Sequence, residues 1–195
     1  GSAMIFEGVI TTRNADGAAH ITPMGFRRDA DCVLISPFVP STTLVNLKRD
    51  GRAVMNLTDD VSVIAGCLTG RRDWPLLRAT VIDGWRLQDC LAHMELQVMD
   101  CNDDAERPQF RCRIAHHAQH GAFRGFNRAQ AAVLEAAILY SRLDWLAPDK
   151  LAAEMAYLAI AVNKTAGARE RMAWEWLVAA MADHPRHRLE LGGTA

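Results

Sequence analysis

Ile5-Phe6-Glu7-Gly8-Val9-Ile10-Thr11-Thr12-Arg13 and, past a turn, Ala19-His20-Ile21-Thr22-Pro23-Met24-Gly25-Phe26 form the stretch from which the fold is read. Two apolar, threonine-bearing runs flank Asn14-Ala15-Asp16-Gly17, and the Asp-Gly pair supplies the positive φ that a tight hairpin needs. The second run carries Pro23, which donates no ladder hydrogen bond, and Gly25, which lets a backbone or a ligand approach closely. The spacing therefore predicts a hairpin whose second strand breaks its own pairing near Pro23.

Outward from this hairpin the chain reads mostly as strands. Cys32–Pro37 is a buried strand stopped by proline, and Ala53–Thr58 is another, with the polar Asn56 among apolar neighbours. Between them, Ser41-Thr42-Thr43 opens a short helix that has cations at Lys48 and Arg49 and a stop at Gly51. Asp59-Asp60 can cap a helix over Val61–Leu68, although the β-branched residues there also suit a strand. Ala79–Leu87 is expected as a strand interrupted at Asp83-Gly84. Leu91–Asp100 alternates cleanly: Ala92, Met94, Leu96 and Val98 face one way, His93, Glu95 and Gln97 the other. With Phe110, Cys112 and Ile114 it makes a long antiparallel hairpin with one face in a core. Six or seven strands joined by hairpins point to a small antiparallel barrel. From Asn127 the texture turns helical: Asn127 caps a run placing Leu134, Ile138 and Tyr140 near one face, and Pro148 opens a second helix. Gly167 precedes a third, anchored by Trp174, Leu177 and Met181. The expected division is a barrel over residues 4–122, a helical subdomain over 123–185 and a loose tail over 186–195.

Composition narrows the function classes. The chain has 195 residues, half of them hydrophobic, and a formal net charge of −1, so no broad field favours nucleic acid or an anionic membrane. Five cysteines without a Cys-x-x-Cys pair suggest reduced thiols in a cytosolic protein and not a disulfide framework or thiolate zinc site. No signal peptide or membrane span is expected, and Gly1-Ser2-Ala3 reads as a cleavage scar.

Three stretches are candidates for chemistry. Unpaired N–H groups and hydroxyls at Ser41, Thr42 and Thr43 suit a phosphate, or simply cap the helix. Thr22-Pro23-Met24-Gly25 can bond a planar heterocycle along its backbone, with Met24 packed on it, or is a plain edge strand. On a helix His116 and His120 would share a face as metal ligands can; on a strand they share one too but stand too far apart to chelate one ion, and no acidic partner follows at ligand spacing. No metal site is expected, and His116, His117 and His120 read as solvated residues or as a cluster near a ligand mouth. His20 is a half-exposed strand residue. Arg27-Arg28, Arg71-Arg72 and Arg111/Arg113 read as solvated faces, one of which can neutralise a phosphate. There is no Walker loop, no dinucleotide fingerprint, no nucleophile elbow and no evident nucleophile–base pair, so any chemistry belongs to a cofactor.

Glu7–Thr12, Thr22–Gly25, Ser41-Thr42-Thr43-Leu44-Val45-Asn46-Leu47, Gly125–Ala131 and Val133–Ile138 together resemble the flavin-reductase-like, FMN-binding split-barrel family of archaea and methylotrophic bacteria. The resemblance implies a mainly β fold, an antiparallel split β-barrel followed by a C-terminal helical subdomain. It also implies a cytoplasmic homodimer with FMN at the interface. The phosphate would meet Ser41, Thr42, Thr43 and Asn46, and the isoalloxazine would lie along Thr22, Pro23, Met24 and Gly25. Thr11, Thr12 and Asn56 would be further polar contacts. By the same resemblance the protein is an FMN-dependent oxidoreductase passing hydride or electrons from a reduced carrier to a small acceptor, in methanopterin-linked one-carbon metabolism. The alternative is a flavin-binding or cofactor-assembly protein without turnover.

Overall fold

The computed structural model describes residues 4–103 and 106–187. The chain divides into two compact units: one holds the residues up to Thr58 together with Arg72–Phe123, the other holds Asp59–Arg71 and the residues from Arg124 onward. The segment 59–71 thus joins the helical unit, whereas the linear reading kept it in the barrel.

In the first unit, six strands close an antiparallel barrel: β1 (Phe6–Arg13), β2 (Ala19–Asp29), β3 (Cys32–Ile35), β4 (Arg52–Leu57), β7 (Ala92–Asn102) and β8 (Gln109–Gln119). Their order around the barrel is β1-β2-β3-β8-β7-β4. The turn at Asn14–Gly17 forms as its residues demand, with Gly17 at φ 91°. Inside lie Ile10, Phe26, Val33, Ile35, Ala53, Met55, Met94, Leu96, Phe110 and Cys112. Leu44 and Leu47 of α1 (Thr42–Asp50) enter the same cluster, so α1 contributes its apolar face to the barrel core. Ser41 caps α1 by accepting from Leu44 N at 3.1 Å, and Gly51 ends it in the left-handed region at φ 64°.

Gly8 permits this close packing. A Cβ there would sit 2.7 Å from the Met55 sulfur, 3.2 Å from the Phe26 ring and 3.3 Å from the Asn56 carbonyl. Gly8→Ala is therefore expected to lower stability by about 1–3 kcal/mol, read as a shift in the urea midpoint with an unchanged slope.

Two expectations are corrected here. β2 does not break at Pro23: it runs on to Asp29, and every residue from Ala19 to Phe26 is in register with β1. Proline is tolerated because β2 pairs with β3 only over Arg27–Asp29, leaving the stretch before it as an edge. Nor is Ala79–Leu87 an interrupted strand. The excursion forms β5 (Leu76–Arg78) and β6 (Trp85–Leu87), paired with each other, and residues 79–84 form the loop between them.

The second unit packs α2 (Val61–Leu68), α3 (Arg128–Tyr140), α4 (Pro148–Thr165) and α5 (Ala168–Asp183). Asp60 caps α2 and pairs with Arg169 at 3.1 Å. Asn127 caps α3 as expected, accepting from Gln130 N at 2.9 Å. The buried face of α3 is Ala129, Ala132, Val133, Ala136 and Ala137, with Leu134, Ile138 and Tyr140 only half-buried. Small residues let α3 and Val162 of α4 share one cluster. Leu177 and Met181 are fully buried and Trp174 is half-buried. The expected tail needs correction at its start. His187 is buried with Nε2 2.9 Å from the Leu143 carbonyl, and Arg186 Nε donates to the Leu146 carbonyl at 2.7 Å. The remainder, 188–195, lies outside the described residues. Among the described residues, no helix is long and apolar enough to cross a membrane.

Candidate functional site

Strand residues point their N–H and C=O to alternate sides. Pro23 stands opposite Val9 without an N–H to give β1, and the Ile21 carbonyl accepts from the Arg72 guanidinium, so by this parity Ile21, Pro23 and Gly25 present their backbone groups away from β1. Arg27, the next residue of this parity, is where β3 begins to pair. The edge between therefore offers the carbonyls of Pro23 and Gly25 and the Gly25 N–H, while Pro23 sits where a missing N–H costs no ladder bond. Thr22, Pro23, Met24 and Gly25 are all half-buried, accessible to a flat ligand without being fully solvated. Met24 packs on the barrel cluster that also holds Leu44 from the first turns of α1. Arg72, which the sequence places among solvated cations, brings positive charge to this edge. Burial first, and Arg72 second, push the His20 imidazole below its ordinary pKa.

At the start of α1 the three hydroxyl residues separate. Thr43 is buried, Ser41 Oγ serves as the cap, and Thr42 is exposed at the first helical position. The unpaired N–H groups of this turn and the Thr42 hydroxyl are the groups an anion can reach.

The other four candidates are engaged inside the chain. Asn46 Nδ2 donates to Thr12 Oγ1 at 3.0 Å and to Asn14 Oδ1 at 2.9 Å, which docks α1 on the β1–β2 hairpin. Thr11 Oγ1 donates to the Trp85 carbonyl at 2.5 Å. Asn56 donates to the Val9 carbonyl at 2.9 Å and accepts from Leu87 N at 2.8 Å. Thr11 and Asn56 thus hold the β5–β6 excursion against the barrel's outer face.

A third residue in that role escaped the sequence reading. Glu95 was expected on a polar face, yet it is completely buried. Its Oε1 accepts from Val81 N at 2.6 Å and Ile82 N at 3.0 Å, and its Oε2 from Thr80 N at 2.8 Å. His93 Nε2 lies 2.8 Å from Oε2. Burial alone would raise the Glu95 pKa, but the His93 and backbone hydrogen bonds overcome it and hold the carboxyl at about 2. The acidic partner missing from the sequence around His116 is this residue: ligating atoms of His93, Glu95 and His116 lie within 4.8 Å of one another. It was invisible because it comes from the neighbouring strand, where Glu95 is in register with His116.

Comparison with known proteins places the fold. Residues 6–121 match the profile described as protein of unknown function (DUF447) N-terminal domain, and residues 127–179 match that of protein of unknown function (DUF447). No curated protein shows significant similarity to the chain. Among solved structures, an FMN-bound DUF447 protein from Methanosarcina mazei superposes with a TM-score of 0.77 at 15% identity, over 90% of this chain and 94% of that one. An FMN-binding protein from Thermus thermophilus matches at TM-score 0.51 and 13% identity, over 58% of this chain and 69% of that one. The 2-nitrobenzoate 2-nitroreductase of Pseudomonas fluorescens matches at 0.51 and 16%, over 58% of this chain and 64% of that one. The barrel is therefore a split barrel of the flavin-reductase-like type.

Proposed function

Because the chain belongs to the DUF447 family through both its barrel and its helices, we propose that it is an FMN-binding flavoprotein and acts as an oxidoreductase. The open edge of β2 carries the reading: a half-buried strip with a backbone donor at Gly25 and acceptors at Pro23 and Gly25, lined by Met24. It fits the rim of a planar heterocycle. Thr42 and the first N–H groups of α1 would hold the phosphate, and Arg72 would balance its charge. When bound, FMN would supply hydride or electron transfer between a reduced carrier and a small acceptor. The chain's own share is to orient the ring through the Gly25 N–H and to shield one face with Met24. The M. mazei relative, named as FMN-bound and aligned over most of both chains, supports the cofactor assignment.

Exposed Met4, Ile5, Phe38 and Val39 give the barrel unit apolar surface that suits a homodimer, to be measured by light scattering. None of the five cysteines is in a disulfide, which suits a reducing compartment such as the cytoplasm. A reduced pterin of the methanopterin type is the one-carbon carrier to try first, on the family resemblance.

The test is a titration of the purified protein with FMN, followed by absorbance and flavin fluorescence. A saturable spectral change is expected, and Thr42→Val should weaken affinity about tenfold while leaving the unfolding midpoint unchanged. No spectral change at millimolar FMN overturns the cofactor reading. If FMN binds yet neither reduced nicotinamide nor reduced deazaflavin is oxidised with any acceptor, the oxidoreductase part falls and a binding or assembly role replaces it.

A further inference from the structure

The polar face of β7 carries a second centre, built together with the end of β8. His93 and Glu95 lie on the side of β7 opposite Met94 and Leu96; Glu95 is in register with His116, and His93 with Ala118. Ala118 presents only a methyl group, so the rings of His116 and His120, two residues to either side of it, both reach His93. Ring centroids are 5.9 Å apart for His93 and His116, and 4.9 Å apart for His93 and His120. Spacing along β8 alone is too long for one ion, but two residues of the neighbouring strand fill the gap.

Three observations mark the group as a ligand set. One nitrogen from each of His93 and His116 and one Glu95 oxygen lie within 4.8 Å of one another. The Glu95 carboxylate is already fixed by the N–H groups of Thr80, Val81 and Ile82, so it is oriented before any ion arrives. The His116 ring is half-buried beside His93, and among the described residues it has no hydrogen-bond partner.

We propose that His93 Nε2, Glu95 Oε2 and a ring nitrogen of His116 bind one divalent transition-metal ion, zinc being an ion that two imidazoles and a carboxylate hold. Water completes the shell on the half-buried His116 side. A tetrahedral ion about 2.0–2.1 Å from each ligand keeps the ligand atoms about 3.3 Å apart. His93 Nε2 and Glu95 Oε2, at 2.8 Å, need to part by about half an ångström, and the unbonded His116 ring swings in.

The surrounding hydrogen bonds accommodate the ion. Without it, His93 Nε2 donates to the ionised Glu95, and His93 Nδ1 accepts from His120 Nε2 at 2.7 Å. With the ion on Nε2, the His93 proton sits on Nδ1 and is donated to His120 Nε2. Both rings change tautomer and neither changes charge. His120 is then the outer partner that orients the ligating imidazole. Glu95 keeps its three backbone bonds, so the loop over residues 79–84 stays held. FMN plays no part in this site.

Zinc titration of the chelator-stripped protein, in competition with a chromogenic chelator, tests the site. One equivalent per chain should bind with a micromolar Kd or tighter. His116→Ala should weaken binding about a hundredfold or more, since loss of an outer partner alone costs about 10–100-fold. His117→Ala, on the opposite face of β8, should bind as wild type does. Zinc should raise the urea midpoint of wild type and not that of His116→Ala, while the two metal-free proteins unfold alike. Cobalt(II) in place of zinc should give visible d–d bands without the charge-transfer band of a thiolate. No uptake at micromolar zinc overturns the proposal. So does equal affinity in wild type and His116→Ala, or a thiolate band, which assigns the ion to the cysteines instead.

Discussion

Glu95→Ala is expected to cost roughly 3–5 kcal/mol of stability at neutral pH, the largest loss from any single truncation in the barrel unit. The carboxylate has no exposure and accepts from three consecutive backbone N–H groups and from His93. Truncation strands those donors under the β5–β6 excursion, each at the desolvation cost of an unpaired buried group. The effect carries a pH signature. The folded pKa of about 2 lies below the ordinary 4.5, so ionised Glu95 stabilises the fold above the unfolded value. That contribution, roughly 3 kcal/mol, is lost as pH falls from about 4.5 towards 2. Urea unfolding at pH 7 should separate wild type from the variant widely, and at pH 3 the gap should narrow. An equal gap at both values means that the ionised carboxylate is not what holds the loop.

Gly25→Pro should abolish tight FMN binding while leaving the barrel folded. Gly25 shares the parity of Ile21, whose carbonyl faces Arg72, so its N–H points away from β1. Proline at an edge position with an outward N–H removes no ladder bond. A Cβ at Gly25 would meet only the Ile5 side chain, at 3.3 Å, and the Phe6 carbonyl, at 3.8 Å. The stability change should stay within about 1 kcal/mol, and FMN affinity should fall at least about tenfold, or 1.4 kcal/mol. Met24→Pro is the control one residue earlier. There the N–H faces β1, and the substitution should destabilise by about 3 kcal/mol. If Gly25→Pro binds FMN as wild type does, the ring does not use this edge.

By itself the sequence determined the elements. Asp16-Gly17 made the hairpin turn, Ser41 and Gly51 bounded α1, Asn127 capped α3, and the alternation in β7 placed Met94 and Leu96 in the core. These are local effects: a cap, a turn and a period of two act within a few residues, so they can be read along the chain. The resemblance carried by Thr22–Gly25, Ser41–Leu47 and the block from Gly125 led to the right fold class and family. Only the tertiary structure decided which polar residues are occupied. Thr11 and Asn56 hold the β5–β6 excursion, and Thr12 and Asn46 hold α1, all through partners more than thirty residues away. The polar face of β7 was expected in solvent because nothing in its alternation shows that residues 76–87 fold back over it. The edge at Ile21–Phe26, where the reading began, was mistaken for a break for the same reason. Whether a strand ends or merely lacks a neighbour depends on β3, and strand pairing is a contact between distant segments that no local pattern encodes.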